Sequence, residues 1–237
     1  MEWLFDPEIW ASLLTLTLLE IVLGIDNLVF LALMVERLPP EQQARGRKAG
    51  LGLALITRLG LLAAIGWIVG LTHPLFSVAG HAISWRDLVL IVGGFFLLYK
   101  GTAEIHESME ESENGEGGTR KPGRFGVIVV QIMVLDIVFS LDSVITAVGM
   151  AEHFLVMAAA IVIAVLLMLW ASGPLGAFIH KHPTVKMLAL SFLLLIGMTL
   201  VADGAGFHVP KGYVYAAIGF SIGVEALNQL ARRRKAR

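Results

Sequence analysis

Two carboxylates interrupt the first apolar stretch of the chain. Glu20 and Asp26, with Asn27 directly after, lie in the run 9–35. This run is long enough to cross a bilayer, which takes about 20 apolar residues. An acid in mid-membrane costs roughly 2.5–3.5 kcal/mol on insertion scales and is therefore a candidate functional residue. Carboxylate and amide oxygens suit hard divalent cations such as Mg²⁺, Ca²⁺ and Mn²⁺.

The pattern recurs 116 residues later (136 − 20 and 142 − 26), with Asp136, Asp142 and Ser143 in the places of the first copy. Four acids at matched positions in two halves indicate a cationic ligand. The sequence therefore predicts a metal site built from both copies. Its acids would supply charged oxygens, and Asn27 and Ser143 would supply neutral ones.

Three more residues are accessory candidates. Arg58, in the second apolar span, could pair with an acid as a buried structural ion pair, although one arginine cannot neutralise four carboxylates. Glu225 and Asn228 are three residues apart in the last span and share a helix face. They either complete the site or only bind the bundle together.

The two acids of each copy are six residues apart, about 240° of turn on a regular helix. A straight helix therefore spreads them. Gly24 and Ser140 lie between the acids, and glycine eases a local break while serine hydrogen-bonds freed backbone groups. We expect each motif helix to be kinked or unwound there, although tilting and a second helix could also bring the acids together.

Composition indicates a polytopic membrane protein. Of 237 residues, 57% are hydrophobic and 16% are charged, against roughly 45–50% and about 25% in a soluble domain. The net charge of −1 gives no general attraction to nucleic acid. The absence of cysteine excludes thiolate metal sites and a cysteine nucleophile. With no hydrolase or P-loop pattern, we expect neither an enzyme nor a prosthetic cofactor.

Seven apolar spans are predicted, and the acidic N-terminus lacks the features of a signal peptide, so the first is expected to be retained. The spans cover about 9–35, 49–71, 88–103, 125–150, 154–172, 185–202 and 212–230. Segment 104–124 reads as a solvated acidic, Gly-rich linker. The segment around His73, Pro74 and His81 reads as a polar turn.

Basic residues predict the orientation. With the N-terminus outside, fifteen of the 18 Lys and Arg residues fall on the inner side and two, Arg86 and Lys211, on the outer side. This bias predicts an N-out, C-in topology. The basic C-terminal tail could also contact anionic lipid, although topology alone explains it.

The repeated motif divides the spans into two halves. Residues 1–103 form a first three-helix repeat, 125–206 a second, and 207–237 a seventh helix with a cytoplasmic tail. Because three is odd, the second repeat enters the membrane from the opposite side, as in many transporters with a midplane site. The predicted fold is an all-α membrane protein with seven transmembrane helices, two inverted repeats and a seventh helix.

Four segments resemble the TerC family of integral membrane proteins, named for tellurium resistance. They are 19–27 (LEIVLGIDN), 57–59 (TRL), 133–143 (MVLDIVFSLDS) and 210–228 (PKGYVYAAIGFSIGVEALN). The likeness covers nearly the whole chain and is greatest to the short, membrane-only members, which lack the CBS domains of longer relatives.

The resemblance implies a seven-helix inner-membrane protein related to LysE-type exporters and linked to Mn²⁺ efflux or to metal supply for exported proteins. It also implies that the acid motifs carry the ion, through Glu20, Asp26, Asn27, Asp136, Asp142 and Ser143. Plant relatives are tied to membrane-protein insertion, which keeps a role without transport open.

The predicted function is export of a divalent cation, foremost Mn²⁺, across the bacterial inner membrane. The alternative is an assembly or metalation partner for membrane or secreted proteins. The expected partners are membrane lipid and the transported ion, with no nucleic acid. Ion selectivity, the coupling ion and the oligomeric state stay open, a homo-oligomer among the options.

Overall fold

The computed structural model of the chain describes residues 6–64, 74–78, 81–113, 123–148 and 153–235. Seven α-helices and a two-stranded sheet lie within these ranges. The helices are α1 (Pro7–Glu36), α2 (Pro40–Ala63), α3 (Trp85–Glu113), α4 (Phe125–Val148), α5 (Phe154–Lys181), α6 (Pro183–Gly204) and α7 (Lys211–Lys235). The strands are β1 (Pro74–Val78) and β2 (His81–Ser84).

Five of the described helices are long and apolar enough to cross a membrane, namely α1, α3, α5, α6 and α7. The apolar stretch found in the described part of α4 is shorter, Phe125–Leu141. In α2, Arg45, Arg47 and Lys48 interrupt the first half. The membrane class predicted from composition is confirmed. The count of seven spans, the inversion and the orientation stay predictions.

Helix bounds differ from the predicted spans at the third helix. α3 continues to Glu113, so residues 104–113 of the predicted linker are helical, and residues 114–122 lie outside the described ranges. Glu104, the first residue of that predicted solvated segment, has a relative exposure of only 2%. Composition alone placed the boundary too early, because a polar helical end that is partly buried has the same residue content as a loop.

The predicted polar turn contains the short sheet instead. Pro74 begins β1 and His81 begins β2, while His73 lies outside the described residues. Two short runs containing Phe76 and Ile83, which favour strands, are two residues apart, the length of a tight hairpin connection. The all-α prediction missed this sheet because hydropathy windows search for spans and not for hairpins.

The α1–α2 corner brings three helices together. Three residues connect α1 to α2, and Pro39-Pro40 starts the second helix, since proline is tolerated in a first helical turn. The Gly123 amide, just before α4, donates to the Arg37 carbonyl oxygen of this corner at 2.9 Å. The start of α4 is thereby tied to the junction of α1 and α2.

The chain divides into two compact units by contact. The first contains α1, α2, α4 and most of α5, and in it α2 packs mainly on α4 and also on α1. Gly50 permits this approach. A Cβ there would lie 3.1 Å from the side chain of Ile132 and 3.4 Å from that of Leu31. Small residues let membrane helices approach closely in this way.

The second unit contains most of α3, the end of α5, α6 and α7. Here α3 and α6 cross backbone to backbone, since a Cβ on Gly94 would lie 2.7 Å from the carbonyl oxygen of Gly197. These two units are defined by contacts between residues and do not coincide with the predicted repeats, residues 1–103 and 125–206. The division into two three-helix repeats therefore stays a prediction.

Both motif helices run through their motifs unbroken. α1 is α-helical at Gly24 and α4 at Ser140, so the predicted unwinding is wrong. Gly24 makes room for α5, because a Cβ there would lie 2.8 Å from the Sδ atom of Met168. The Ser140 hydroxyl donates to the Asp136 carboxylate at 3.3 Å. Helix packing, rather than unwinding of one helix, gathers the polar side chains.

Candidate functional site

One arginine joins an acid from each copy of the motif. The guanidinium of Arg58 donates through Nη1 to Glu20 Oε2 at 2.8 Å and through Nη2 to Asp136 Oδ1 at 2.8 Å. Its Nε lies 3.2 Å from each oxygen of Asp136. All three residues are buried, with exposures of 3%, 3% and 5% for Glu20, Arg58 and Asp136. The motifs on α1 and α4 therefore meet at one point on α2.

The buried face of α2 explains why Arg58 reaches this point. Ala54 and Leu62, one turn before and one turn after it, are also buried, and Gly46 and Gly50 continue the same face. An apolar residue would be expected at position 58 of such a stripe. The small residues bring α2 close to α1 and α4, and the long arginine side chain spans the gap to both carboxylates.

Asp136 is surrounded by hydrogen-bond donors. Besides Arg58, the Asn27 amide donates to its Oδ1 at 3.0 Å and the Ser140 hydroxyl donates to its Oδ2 at 3.3 Å. A carboxylate has about four lone-pair sites in all. Three residues from three helices thus use the hydrogen-bonding capacity of Asp136 fully.

Glu20 is held less fully. Within the described part of the chain, its carboxylate accepts one hydrogen bond, from Arg58. Glu20 also borders a small cavity of about 10 Å³, whose other walls are apolar side chains of α1, α2, α4 and α5. The lining consists of Leu16, Leu62, Val144, Met157, Ala160 and Ile161. Among the described residues, Glu20 therefore accepts fewer hydrogen bonds than Asp136 does.

Asn27 contributes one donor and one spare acceptor. Its Nδ2 is committed to Asp136, whereas its Oδ1 is buried and receives no hydrogen bond from the described residues. Asp26, the preceding residue of α1, is partly buried. A buried neutral oxygen beside a carboxylate is the type of group that hard cations bind.

The charges at this point do not balance. With both carboxylates ionised, the one guanidinium among the described residues of the cluster leaves a formal charge of one negative unit. A guanidinium is permanently charged, and its planar fork matches a carboxylate edge, as Nε and Nη2 do at Asp136. Removing one partner from a buried ion pair leaves an uncompensated charge at high cost. The surplus acid is thus a feature that a simple structural pair would not need.

Comparison with known proteins decides the family. The profile of the integral membrane protein TerC family matches residues 5–237. This chain belongs to the TerC family. The inner membrane protein YoaE of Escherichia coli K12 is 59% identical over 233 residues, which cover 98% of this chain and 45% of YoaE. YegH of the same strain is 58% identical over 231 residues, 98% of this chain and 44% of YegH.

The TerC-family chain thus spans a little under half the length of these two relatives. The inner membrane protein YgdQ of the same strain is 54% identical over 233 residues, and there the match covers 98% of this chain and 97% of YgdQ. No solved structure matches the chain significantly. With several apolar helices and relatives named as inner membrane proteins, the chain is a multi-pass inner membrane protein.

The structure brings together some of the site residues predicted for this TerC-family chain. Glu20, Asn27, Asp136 and Arg58 form one hydrogen-bonded cluster. The side chains of Asp142 and Ser143 lie outside the described residues, although their backbone is part of α4. Within the described ranges no group of three or more His, Asp or Glu side chains forms a ready metal site. Among the described side chains, two carboxylates converge, those of Glu20 and Asp136.

The accessory candidates Glu225 and Asn228 lie on α7 and differ in their surroundings. Glu225 accepts a hydrogen bond from the Thr184 hydroxyl of α6 at 2.6 Å and one from Gln229 at 2.8 Å. Asn228 is exposed. The contacts of Glu225 therefore link α7 to α6, as expected of a residue that binds the bundle together.

Sequence reasoning missed the role of Ser140, which was considered only as a helix breaker. Its hydroxyl holds Asp136 in place. The signal was present, because residues 136 and 140 are four apart and hence neighbours on one helix face. Asn27 was predicted only as a ligand, and its amide also donates to Asp136.

Proposed function

We propose that this TerC-family protein exports a divalent cation, Mn²⁺, across the inner membrane. One observation carries the proposal. Glu20 and Asp136, acids at matched positions of two motif copies, meet within reach of one buried side chain. A midplane site between related halves is how many transporters bind an ion.

The chemistry of the cluster supports a hard divalent ion. The candidate ligand atoms are oxygens. Glu20 and Asp136 would supply charged oxygens, and Asn27 Oδ1 would supply a neutral oxygen, which accepts no hydrogen bond from a described residue. The surplus negative charge favours a cation. Under the proposal, Asp26 and Asp142 add charged oxygens, and Ser143 adds a neutral one. The chain has no cysteine, so a soft-metal site is not favoured.

Metal flux through the purified full chain in proteoliposomes tests the proposal. A fluorophore that Mn²⁺ quenches reports the initial rate, and Ca²⁺ and Mg²⁺ are compared in parallel. We expect E20Q to lower the Mn²⁺ rate at least tenfold, because the affinity of oxygen sites depends on the number of charged ligands. E110Q is the matched control, since Glu110 is exposed and pairs with the exposed His106 on the same helix; its rate should equal wild type.

A second experiment uses cells. D26N and D142N should insert normally and lose protection against manganese stress. If both variants protect as well as wild type, or if wild type shows no flux above that of protein-free vesicles, the transport assignment is wrong. Full flux through E20Q would overturn only the role given to Glu20. An assembly or metalation partner makes the opposite prediction, because it would keep manganese tolerance and lose only its client protein.

A further inference from the structure

Arg58 competes for the oxygens that a transported cation needs. Its three guanidinium nitrogens take one oxygen of Glu20 and both oxygens of Asp136. With Asn27 and Ser140 also donating, Asp136 has no lone pair left for a metal. A metal ion and this guanidinium therefore cannot bind Asp136 at the same time.

The other hydrogen bonds of Asp136 do not depend on Arg58. If the guanidinium moves away, Asn27 and Ser140 still donate to Asp136 and hold it in place. Glu20 also lines a small cavity of about 10 Å³. Since a guanidinium stays charged at any physiological pH, only movement of the side chain, and not loss of a proton, can remove this competitor.

We propose that Arg58 is a tethered counter-cation of the transport site. Cargo binds as the guanidinium leaves Glu20 and Asp136, and the returning guanidinium helps to expel the cargo. The inference rests on the proposed function and adds to it the role of one residue. This role and that of a structural ion pair predict opposite changes in cation affinity when Arg58 is replaced. Removing a competitor tightens cargo binding, whereas removing a support of the carboxylates weakens it.

Equilibrium binding of Mn²⁺ to the purified full chain shows whether replacing Arg58 lowers or raises the dissociation constant. R58Q should lower the dissociation constant about tenfold or more, since a hydrogen bond to a charged group is worth roughly a factor of ten and the ion no longer has to break it. R58K should lower it several-fold, because one ammonium cannot bridge both acids with the same geometry. Both variants should lower the Mn²⁺ flux, as release becomes slower.

R45Q is the matched control. Arg45 lies on the same helix and is exposed, so the same substitution should leave both the dissociation constant and the flux unchanged. A double variant covers the case in which R58Q does not fold. E20Q alone loses a ligand and keeps the competitor, so E20Q/R58Q should bind Mn²⁺ more tightly than E20Q does.

The outcomes separate the two proposals. If wild type neither binds nor transports Mn²⁺, Ca²⁺ or Mg²⁺, and E20Q behaves identically, the proposed function fails. If wild type binds and transports Mn²⁺ and E20Q loses both, the function stands. In that case, R58K and E20Q/R58Q binding more weakly than their respective parents would overturn the role of Arg58 alone and leave it as a support of the carboxylates.

Discussion

The two acids of the cluster should differ in their contribution to stability although they are equally buried. Within the part of the chain that the structure describes, Asp136 accepts hydrogen bonds from three residues, Arg58, Asn27 and Ser140, whereas Glu20 accepts one, from Arg58. Conversion of a carboxylate to an amide keeps the shape and removes the charge. The comparison of D136N with E20Q therefore isolates hydrogen bonding from burial.

The expected magnitude follows from the donor count. A hydrogen bond to a charged group is worth about 1.5–3 kcal/mol and a neutral one about 0.5–1.5 kcal/mol, so each donor loses about 1 kcal/mol on neutralisation. Four donor groups face Asp136, namely Nε and Nη2 of Arg58, the Asn27 amide and the Ser140 hydroxyl, and one described donor group faces Glu20. D136N should therefore cost about 4 kcal/mol and E20Q about 1 kcal/mol. For a chain of this size, about 2–4 °C of Tm accompanies each kcal/mol, which gives about 8–16 °C against about 2–4 °C.

The assay is thermal unfolding of the purified full chain in one detergent at one heating rate, followed by size-exclusion chromatography. The exposed control E110Q should stay close to wild type, since surface ion pairs contribute little. Equal shifts for D136N and E20Q, or a larger shift for E20Q, would refute the donor count as the source of stability. E20Q should also lose transport while it keeps its fold.

Two further predictions concern helix packing. G50L should lower Tm by several degrees, because its Cβ alone would come within 3.1 Å of Ile132 and overpacking costs about 1–3 kcal/mol. G52L on the same helix, where a Cβ meets nothing within 4 Å, should not lower it. T184V should also lower Tm by several degrees through loss of its 2.6 and 3.1 Å hydrogen bonds to α7. S191A should leave Tm almost unchanged, because the Ser191 hydroxyl donates to the carbonyl oxygen of Met187 in its own helix.

The meeting of Glu20 and Asp136 could be predicted from the sequence because the two copies have the same spacing. Equal spacing in two related halves indicates equal positions, and acids in apolar runs must find partners. The sequence also contained Arg58 in an apolar span. It did not show which acid Arg58 contacts, because that depends on how closely α2 approaches α1 and α4 at Gly50.

The errors have a common physical origin. Gly24 was interpreted as a helix break, yet its neighbour in space is Met168, which is remote in sequence, so no local window could identify its role. Glu104 was assigned to a solvated linker by composition, and it is buried on a helix that continues for nine more residues. Local propensity describes the backbone well and long-range packing poorly.

The cavity beside Glu20 has a consequence for the kind of ion that the proposed site would accept. Its volume of about 10 Å³ is close to the minimum that holds one water molecule, about 10–15 Å³. A hydrated divalent ion is far larger, so under the proposed function the ion would reach this carboxylate only without most of its water shell, even where the departure of Arg58 adds space. Mg²⁺ gives up its water reluctantly, whereas the larger Ca²⁺ tolerates irregular protein ligands. The small volume beside Glu20 would therefore disfavour Mg²⁺ at the proposed site.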